Sequence, residues 1–363
     1  MSKGLKEIIP FLRCPITRKR LVVFEGSLID QLNQKIVNKQ LFFANKSPVE
    51  KSIKNGLITK DGKIIYLIKD GIILLLANLA IYVKPTKKMQ NSVLNKSSVQ
   101  EFYEQIGWKK SGDSFEDAVQ FEDLRGVTKN YIHCCHKRLG SYLPKRGKFI
   151  VDIASGPIQY KEYLDYSCNF TYRVCIDFSM KALREAKKKL GNKGIYILGD
   201  ITNIPLRDNA IDCVISLHTI YHVAASHQNK SFLEIHRILK PRSTAVIVYT
   251  WANPLLTIWL MSPINFFGKL KKIFYHKSNV KKNRLYFNPK SYLWFSRCKW
   301  PFKYQIYCWR SIDINVLKLY IHKCFFGKLL LKGLFTIENR FSNLLGRVGQ
   351  YPIIVIQKNE KFN

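Results

Sequence analysis

An apolar strand that ends in an acidic residue and a turn of small residues constrains this chain more than any other feature. Residues 149–157 read FIVDIASGP. Small residues after a buried strand let a ligand approach the backbone closely, and the carboxyl end of a parallel strand is where α/β sheets bind nucleoside-bearing cofactors. The run therefore predicts an α/β domain with a cofactor pocket at Asp152, Ala154, Ser155 and Gly156.

Strand-like and helix-like segments alternate after this run. Strands are expected at 172–177, 194–201, 213–217, 245–249 and 351–357, and helices at 182–190 and 226–239. Alternation at this period is typical of a doubly wound parallel sheet with helices on both faces. The sequence therefore predicts an α/β fold for most of the chain after residue 100.

Two further acidic residues follow predicted strands. Asp177 lies about 25 residues after Asp152, near the spacing expected for a carboxylate that binds ribose hydroxyls. A carboxylate suits that role because it accepts two hydrogen bonds from a vicinal diol. Asp200 ends the next strand. The G-x-G-x-x-G pattern of NAD-binding domains does not follow the first strand, which argues against a dehydrogenase.

These ordered pieces resemble class I S-adenosylmethionine-dependent methyltransferases of the type 11-like group, over roughly residues 100–250 and the last strand. Residues 232–241, FLEIHRILKP, are similar to the family's stretch before its fifth strand. The resemblance implies a mostly parallel seven-stranded Rossmann-like sheet and S-adenosyl-L-methionine as the cofactor. It implies a ribose-binding role for Asp177 and an adenine-binding role for Asp200. The first motif departs from the family, because it has one glycine where the family often has three.

Besides Asp177 and Asp200, the resemblance assigns seven residues to the cofactor pocket. They are Asp152, Ala154, Ser155 and Gly156 of the first motif, Phe178 and Ile201 beside the two acids, and Tyr103. An aromatic residue in the helix before the first strand often closes over the cofactor in this family. For Tyr103, in the predicted helix 99–108, simple packing beside Phe102 and Ile106 is an equal alternative.

The acceptor site is expected after the fourth strand. His218 and His222 lie there with Tyr221, just past a buried segment. Methyl transfer depends mainly on alignment, and a histidine near neutral pH can act as general base toward a hydroxyl acceptor. We therefore take His218 and His222 as candidate catalytic residues, with packing or helix capping as the alternative.

Residues 1–80 predict a small β-rich unit with hairpin turns at Asp61-Gly62 and Asp70-Gly71. With Cys14-Pro15, this pattern resembles the activator subunit shared by tRNA and release-factor methyltransferases. That family often carries zinc on cysteine pairs, but here Thr17 replaces a second ligand, so no metal is expected. The sequence predicts a linker over residues 81–100 and the methyltransferase domain over residues 101–363.

Residues 251–310 mix aromatic and basic side chains and predict a lid-like insertion over the acceptor. Three interpretations stay open for the acceptor and partners. The segment could shape a pocket for a small molecule, a glycan or a lipid-linked compound. It could also contact an anionic membrane, or stack on RNA bases.

The net charge of +35 either attracts an anionic partner or reflects a biased composition. Nine scattered cysteines without a CxxC pair indicate reduced thiols, so we expect a cytoplasmic protein, with the inner face of the membrane as an alternative site of contact. The main function predicted is methyl transfer to an unidentified acceptor. RNA methylation and a catalytically silent binding module are the alternatives, and the oligomeric state is left open.

Overall fold

The computed structural model describes residues 1–83, 122–262 and 287–360, and the backbone of 110–111 and 114–115. The predicted helix 99–108, with the candidate Tyr103, lies outside the described residues. Among the helices that are described, none is both long enough and apolar enough to cross a lipid bilayer.

The N-terminal unit contains two helices and six short strands. The helices are α1 (Lys3–Ile8) and α2 (Ser27–Val37). The strands are β1 (Leu21–Val23), β2 (Phe42–Phe43), β3 (Gly56–Thr59), β4 (Ile64–Lys69), β5 (Ile72–Leu74) and β6 (Ile81–Tyr82). The β3–β4 and β4–β5 hairpins lie where the turn residues predict them. Asp70 and Gly71 both have positive φ, as a tight two-residue hairpin turn requires.

The remaining strands form the main sheet, apart from a short antiparallel pair, β7 (Lys110–Ser111) and β8 (Ser114–Phe115). They are β9 (Gly147–Ile153), β10 (Phe170–Asp177), β11 (Gly194–Leu198), β12 (Ile211–Leu217), β13 (Leu239–Val248), β14 (Lys303–Arg310) and β15 (Tyr351–Gln357). Their order is β11-β10-β9-β12-β13-β15-β14. The first five are parallel, and β15 is antiparallel to both of its neighbours. The α/β fold with a mostly parallel Rossmann-like arrangement of these strands is confirmed, but the seven strands belong to a larger, 13-stranded sheet.

Helices cover both faces of this sheet. They are α3 (Lys129–Arg138), α4 (Glu162–Asp165), α5 (Met180–Leu190), α6 (Gln228–Ile238), α7 (Tyr292–Arg297), α8 (Ile314–Tyr320), α9 (Gly327–Arg340) and α10 (Ser342–Val348). Side chains alternate between the faces along each strand: Phe149 and Val151 pack with Phe232 of α6, whereas Ile150 packs with Leu183 of α5. The sheet is therefore the middle of three layers.

The N-terminal unit continues the main sheet. Strand β5 pairs in parallel with β11, with Ile73 opposite Ile197. Leu5 and Ile8 of α1 lie in the same buried cluster as Phe149. An edge strand has unpaired backbone N–H and C=O groups, so the addition of β5 gives hydrogen-bond partners to the backbone of β11, which would otherwise be exposed. Cys14 is buried here, with its thiol 3.2 Å from the hydroxyl of Tyr66.

Three predicted boundaries differ from the structure. Residues 303–310, expected in a lid, form the edge strand β14, and Phe295 and Trp300 pack on Phe232 in the core. The sequence also predicts a helical stretch over residues 117–143; within the described residues, helix is confined there to α3 and a short 3₁₀ turn. Residues 81–82, expected in the linker, form β6. In β14 the alternation of aromatic and basic residues belongs to a strand that is half exposed.

Candidate active site

The candidate cofactor residues meet at one edge of the sheet. Register places Ile153 opposite Ile176, and Asp177 opposite Leu198. The segments that follow these three strands therefore lie side by side: Ala154–Gly156, Phe178 and Asp200. The strand order reverses beside β9, and such a switch point opens a crevice at the carboxyl ends of parallel strands.

The turn after β9 keeps a glycine-like backbone although it has one glycine. Ala154, Gly156 and Ile158 have φ values of 52°, 56° and 52°. A left-handed conformation is unusual for alanine and an outlier for a β-branched residue. Ala154 and Ile158 therefore hold a conformation that glycine adopts at lower cost.

The turn predicts that Ala154→Gly will stabilise the protein. A left-handed alanine costs about 1–2 kcal/mol, and glycine removes this cost. Glycine in turn loses about 0.5–1 kcal/mol, because its unfolded state has more conformational entropy. We expect the free energy of unfolding in urea to rise by about 0.5–1 kcal/mol. The matched control, Ala186→Gly inside α5, should lower it by at least about 1 kcal/mol, because Ala186 is helical and also fully buried. A loss in Ala154→Gly similar to the control would contradict the strain.

Asp177 is held at the end of β10 by backbone amides. The amide of Gly156 donates to its Oδ2 and the amide of Ser179 to its Oδ1, both at 2.8 Å. The residue is 7 % exposed. Because the first of these bonds comes from the turn after β9, the carboxylate and the turn form one rigid unit. Each carboxylate oxygen has more than one acceptor site, so both can accept further bonds.

Asp200 and its neighbours complete this side of the crevice. Asp200 is half-buried, and the amide and hydroxyl of Thr202 donate to its Oδ1 at 2.7 and 2.8 Å. Phe178 is also half-buried, whereas Ile201 is 5 % exposed. The N-terminal unit supports this loop, since Asn203 donates to the Pro15 carbonyl at 2.7 Å.

Asp152 has a different environment from the other candidates. Its side chain is 2 % exposed and forms a buried ion pair with Arg173, whose side chain is fully buried on the neighbouring strand. Nε and Nη2 of Arg173 both donate to Oδ2 of Asp152. Through this pair, the acid of the first motif ties β9 to β10 just below the turn. The contact of Asp152 with a cofactor stays a prediction.

An aromatic and charged cluster lies at the carboxyl end of β12. The ring of His218 meets Trp309 edge-on at 4.5 Å and Tyr351 at 5.5 Å. Arg310 lies over the rings of Tyr351 and Trp309, at 4.8 and 5.0 Å. His218 itself has a φ of 56°, so the chain turns sharply where β12 ends.

Buried acids neutralise the charges of this cluster. Glu122 binds Arg310 through a 2.5 Å contact to Nη1 and lies 3.7 Å from Nε2 of His136. His136 stacks on Trp309 and lies 3.8 Å from Glu162. Despite burial, the guanidinium of Arg310 and the neighbouring His136 hold the pKa of Glu122 at about 2. Sequence reasoning missed Glu122, His136 and Glu162, because no spacing along the chain connects them.

His218 is half-buried, and the cluster disfavours its charged form. Burial, followed by the repulsion of Arg310, lowers the pKa of His218 to about 3. A group with this pKa is a weak base at neutral pH. His222 follows in a 3₁₀ turn, half-buried, with its ring 4.5 Å from Tyr221 and 6.1 Å from Phe287. Within the residues that the structure describes, no group of three or more His, Cys, Asp or Glu side chains is arranged to hold a metal.

Residues 151–247 match the methyltransferase domain family. The matched residues run from β9 to β13 and include the turn at Ala154, Asp177, Asp200 and His218. A comparison with curated protein sequences finds no significant match.

Several solved structures are distantly similar. A geranyl diphosphate C-methyltransferase from Streptomyces coelicolor is 14% identical, with a TM-score of 0.45 over 74% of this chain and 98% of that one. A Haemonchus contortus phosphoethanolamine N-methyltransferase is 10% identical, with a TM-score of 0.47 over 76% of this chain and 51% of that one. A complex of the Haloferax volcanii Trm112 methyltransferase activator with a methyltransferase is 16% identical, with a TM-score of 0.41 over 65% of this chain and 93% of that one. At this distance no substrate follows from the likeness.

Proposed function

We propose that the chain is an S-adenosylmethionine-dependent methyltransferase. The observation that carries the proposal is the rigid unit of Asp177 and the turn at Gly156, at the switch point of the sheet. The match of residues 151–247 to a methyltransferase domain supports it. The strand order and the half-buried Asp200 on the next strand end also fit a nucleoside-bearing ligand.

The residues present fit this cofactor. Asp177 would hold the ribose hydroxyls, Asp200 the adenine amino group, and Phe178 and Ile201 would flank the adenine. Ala154, Ser155 and Gly156 leave room at the backbone, since their side chains are small. When bound, S-adenosylmethionine supplies an electrophilic methyl group. Tyr103 stays a prediction, as it lies outside the described residues.

On the acceptor side, we assign His218 a positioning role with Trp309 and Tyr351. A neutral imidazole can donate a hydrogen bond to the substrate that receives the methyl group, or accept one from it. Alignment of that substrate is the main requirement of an in-line displacement. The base role predicted for His218 is weakened by its low pKa, and that of His222 stays a prediction. Undiminished turnover in His218→Ala, once an acceptor is found, would end this assignment.

The acceptor is proposed to be a small molecule, a glycan or a lipid-linked compound. The net charge of +35 favours RNA as the second candidate, because it would attract a polyanion. RNA affinity that falls steeply with added salt and methyl incorporation into RNA would together support that candidate. Absence of RNA binding at low salt would eliminate it.

Calorimetric titration with S-adenosylmethionine tests the proposal. We expect saturable one-to-one binding by the full chain, with S-adenosylhomocysteine competing for the same site. NAD serves as the control ligand and should give no heat, since the turn lacks G-x-G-x-x-G. No binding of S-adenosylmethionine by the folded chain would favour a silent binding module instead.

A further inference from the structure

Helix α9 has an apolar stripe that faces solvent. Phe326, at its N-cap, is 79 % exposed, and Leu330, Ile337 and the following Phe341 are 51–54 % exposed. Their intervals of four, seven and four residues place them on one side of a helix. The helix buries other residues, Gly327, Leu331 and Glu338. Core packing therefore does not account for the stripe, and an exposed apolar patch of this kind marks an interaction surface.

A second apolar group lies on the same face of the sheet. Residues 255–262 are helical, and Leu255, Ile258 and Trp259 are 66 %, 50 % and 70 % exposed. Inward residues of this helix and of α9 pack against the same core cluster. The hydroxyl of Tyr320, at the end of α8, donates to the carbonyl of Leu260 at 2.6 Å. This bond ties the helix to the segment that leads into Phe326.

The exposed charged residues between positions 318 and 340 all have one sign. Lys318, Lys323, Lys328, Lys332 and Arg340 are all exposed. Glu338 is the one acid in residues 318–340, and it is fully buried against Arg138. Exposed lysines next to an exposed apolar stripe are complementary to a surface that is apolar inside and negative outside. An acidic protein surface would match the lysines but would leave the phenylalanines and leucines in water.

We propose that this surface, which we call the apolar-basic face, binds a lipid bilayer that contains anionic lipid. It comprises α9, residues 323–326 and residues 255–262. Phe326, Leu330 and Trp259 would enter the boundary between headgroups and acyl chains, while Lys328 and Lys332 would remain among the headgroups. The proposal does not depend on the identity of the cofactor or on catalysis.

Sedimentation with phosphatidylcholine vesicles, with and without phosphatidylglycerol, tests the apolar component. We expect binding to the anionic vesicles and about tenfold weaker binding for the variant Phe326→Ser with Leu330→Ser, because several buried methylene groups are lost. The control is Val37→Ser, a residue of α2 that is 73 % exposed, and it should bind like the wild type. Circular dichroism establishes that both variants fold.

A matched pair of charge variants tests the basic component. Lys328→Glu with Lys332→Glu should abolish most of the vesicle binding, whereas Lys51→Glu with Lys54→Glu, exposed in the N-terminal unit, should reduce it little. Equal losses in the two pairs would attribute binding to the general charge and overturn the proposal. The proposal would also be overturned if the wild type did not bind vesicles but self-associated, and if the variant Phe326→Ser with Leu330→Ser abolished that self-association.

Discussion

Replacing Arg173 with methionine should lower the free energy of unfolding by about 3–5 kcal/mol, since removal of one partner leaves a buried charge without compensation. Arg173 and Asp152 are 0 % and 2 % exposed, so water cannot take over the solvation of the carboxylate. The substitution also removes the donor to the Tyr163 carbonyl. Urea denaturation of the full chain measures the loss.

Two further variants separate the ion pair from general effects. Arg173→Met combined with Asp152→Leu should recover most of the loss, because an apolar pair can replace a buried ion pair at little cost. Arg184→Met, which breaks the exposed pair with Asp70, should change stability by less than about 1 kcal/mol. If Arg173→Met cost no more than this control, the ion pair would not hold β9 and β10 together.

The loss in Arg173→Met should also depend on pH. Burial raises the pKa of Asp152, and Arg173 opposes that rise in the wild type. Without Arg173, the folded-state pKa lies above the unfolded value of about 3.9. An acid shifted in this direction destabilises the folded state increasingly as pH rises above its unfolded pKa. The loss should therefore be larger at pH 8 than at pH 5.

Replacing Asp177 with asparagine should weaken the binding of S-adenosylmethionine at least about 100-fold, equivalent to about 2.7 kcal/mol. The carboxylate would bind the ribose hydroxyls by charge-assisted hydrogen bonds, each contributing about 1.5–3 kcal/mol. Asparagine also presents an NH₂ group to one of two backbone amides that now donate to the carboxylate. Titration calorimetry measures the affinity.

Ser179→Ala is the matched control for this experiment. The Ser179 hydroxyl caps α5 by accepting from the Ala182 amide at 3.1 Å, so its loss should cost about 1 kcal/mol of stability without removing the carboxylate. We expect normal cofactor affinity in this variant. Unchanged affinity in Asp177→Asn would mean that the cofactor site has been placed wrongly, even if the wild type binds S-adenosylmethionine.

Most of the central sheet could be predicted from local patterns. The strands β9, β10 and β12 are buried over most of their length and rich in apolar residues, as expected of strands that helices cover on both faces. Strand β14 could not be predicted in the same way. It pairs on one side only, so it keeps exposed polar residues and is similar in composition to a loop.

The sequence also predicted that Asp177 and Asp200 would lie at one edge of the sheet. Asp177 ends a buried strand and Asp200 follows the next one, and parallel strands bring such positions together. It did not predict that Asp152 would pair with Arg173 on the neighbouring strand. Side chains of a strand alternate between faces, and nothing local identifies the partner across the ladder.

The sequence by itself determined the succession of strands and helices along the chain and the acidic and small residues at the ends of the strands. Periodicity and turn residues act over a few positions, so they are visible in any short window. The tertiary structure alone decided the addition of β5 to β11, the burial of Glu122 with Arg310, and the weak basicity of His218. These depend on residues about 90 or more positions apart, whose contacts arise only when the sheet has assembled.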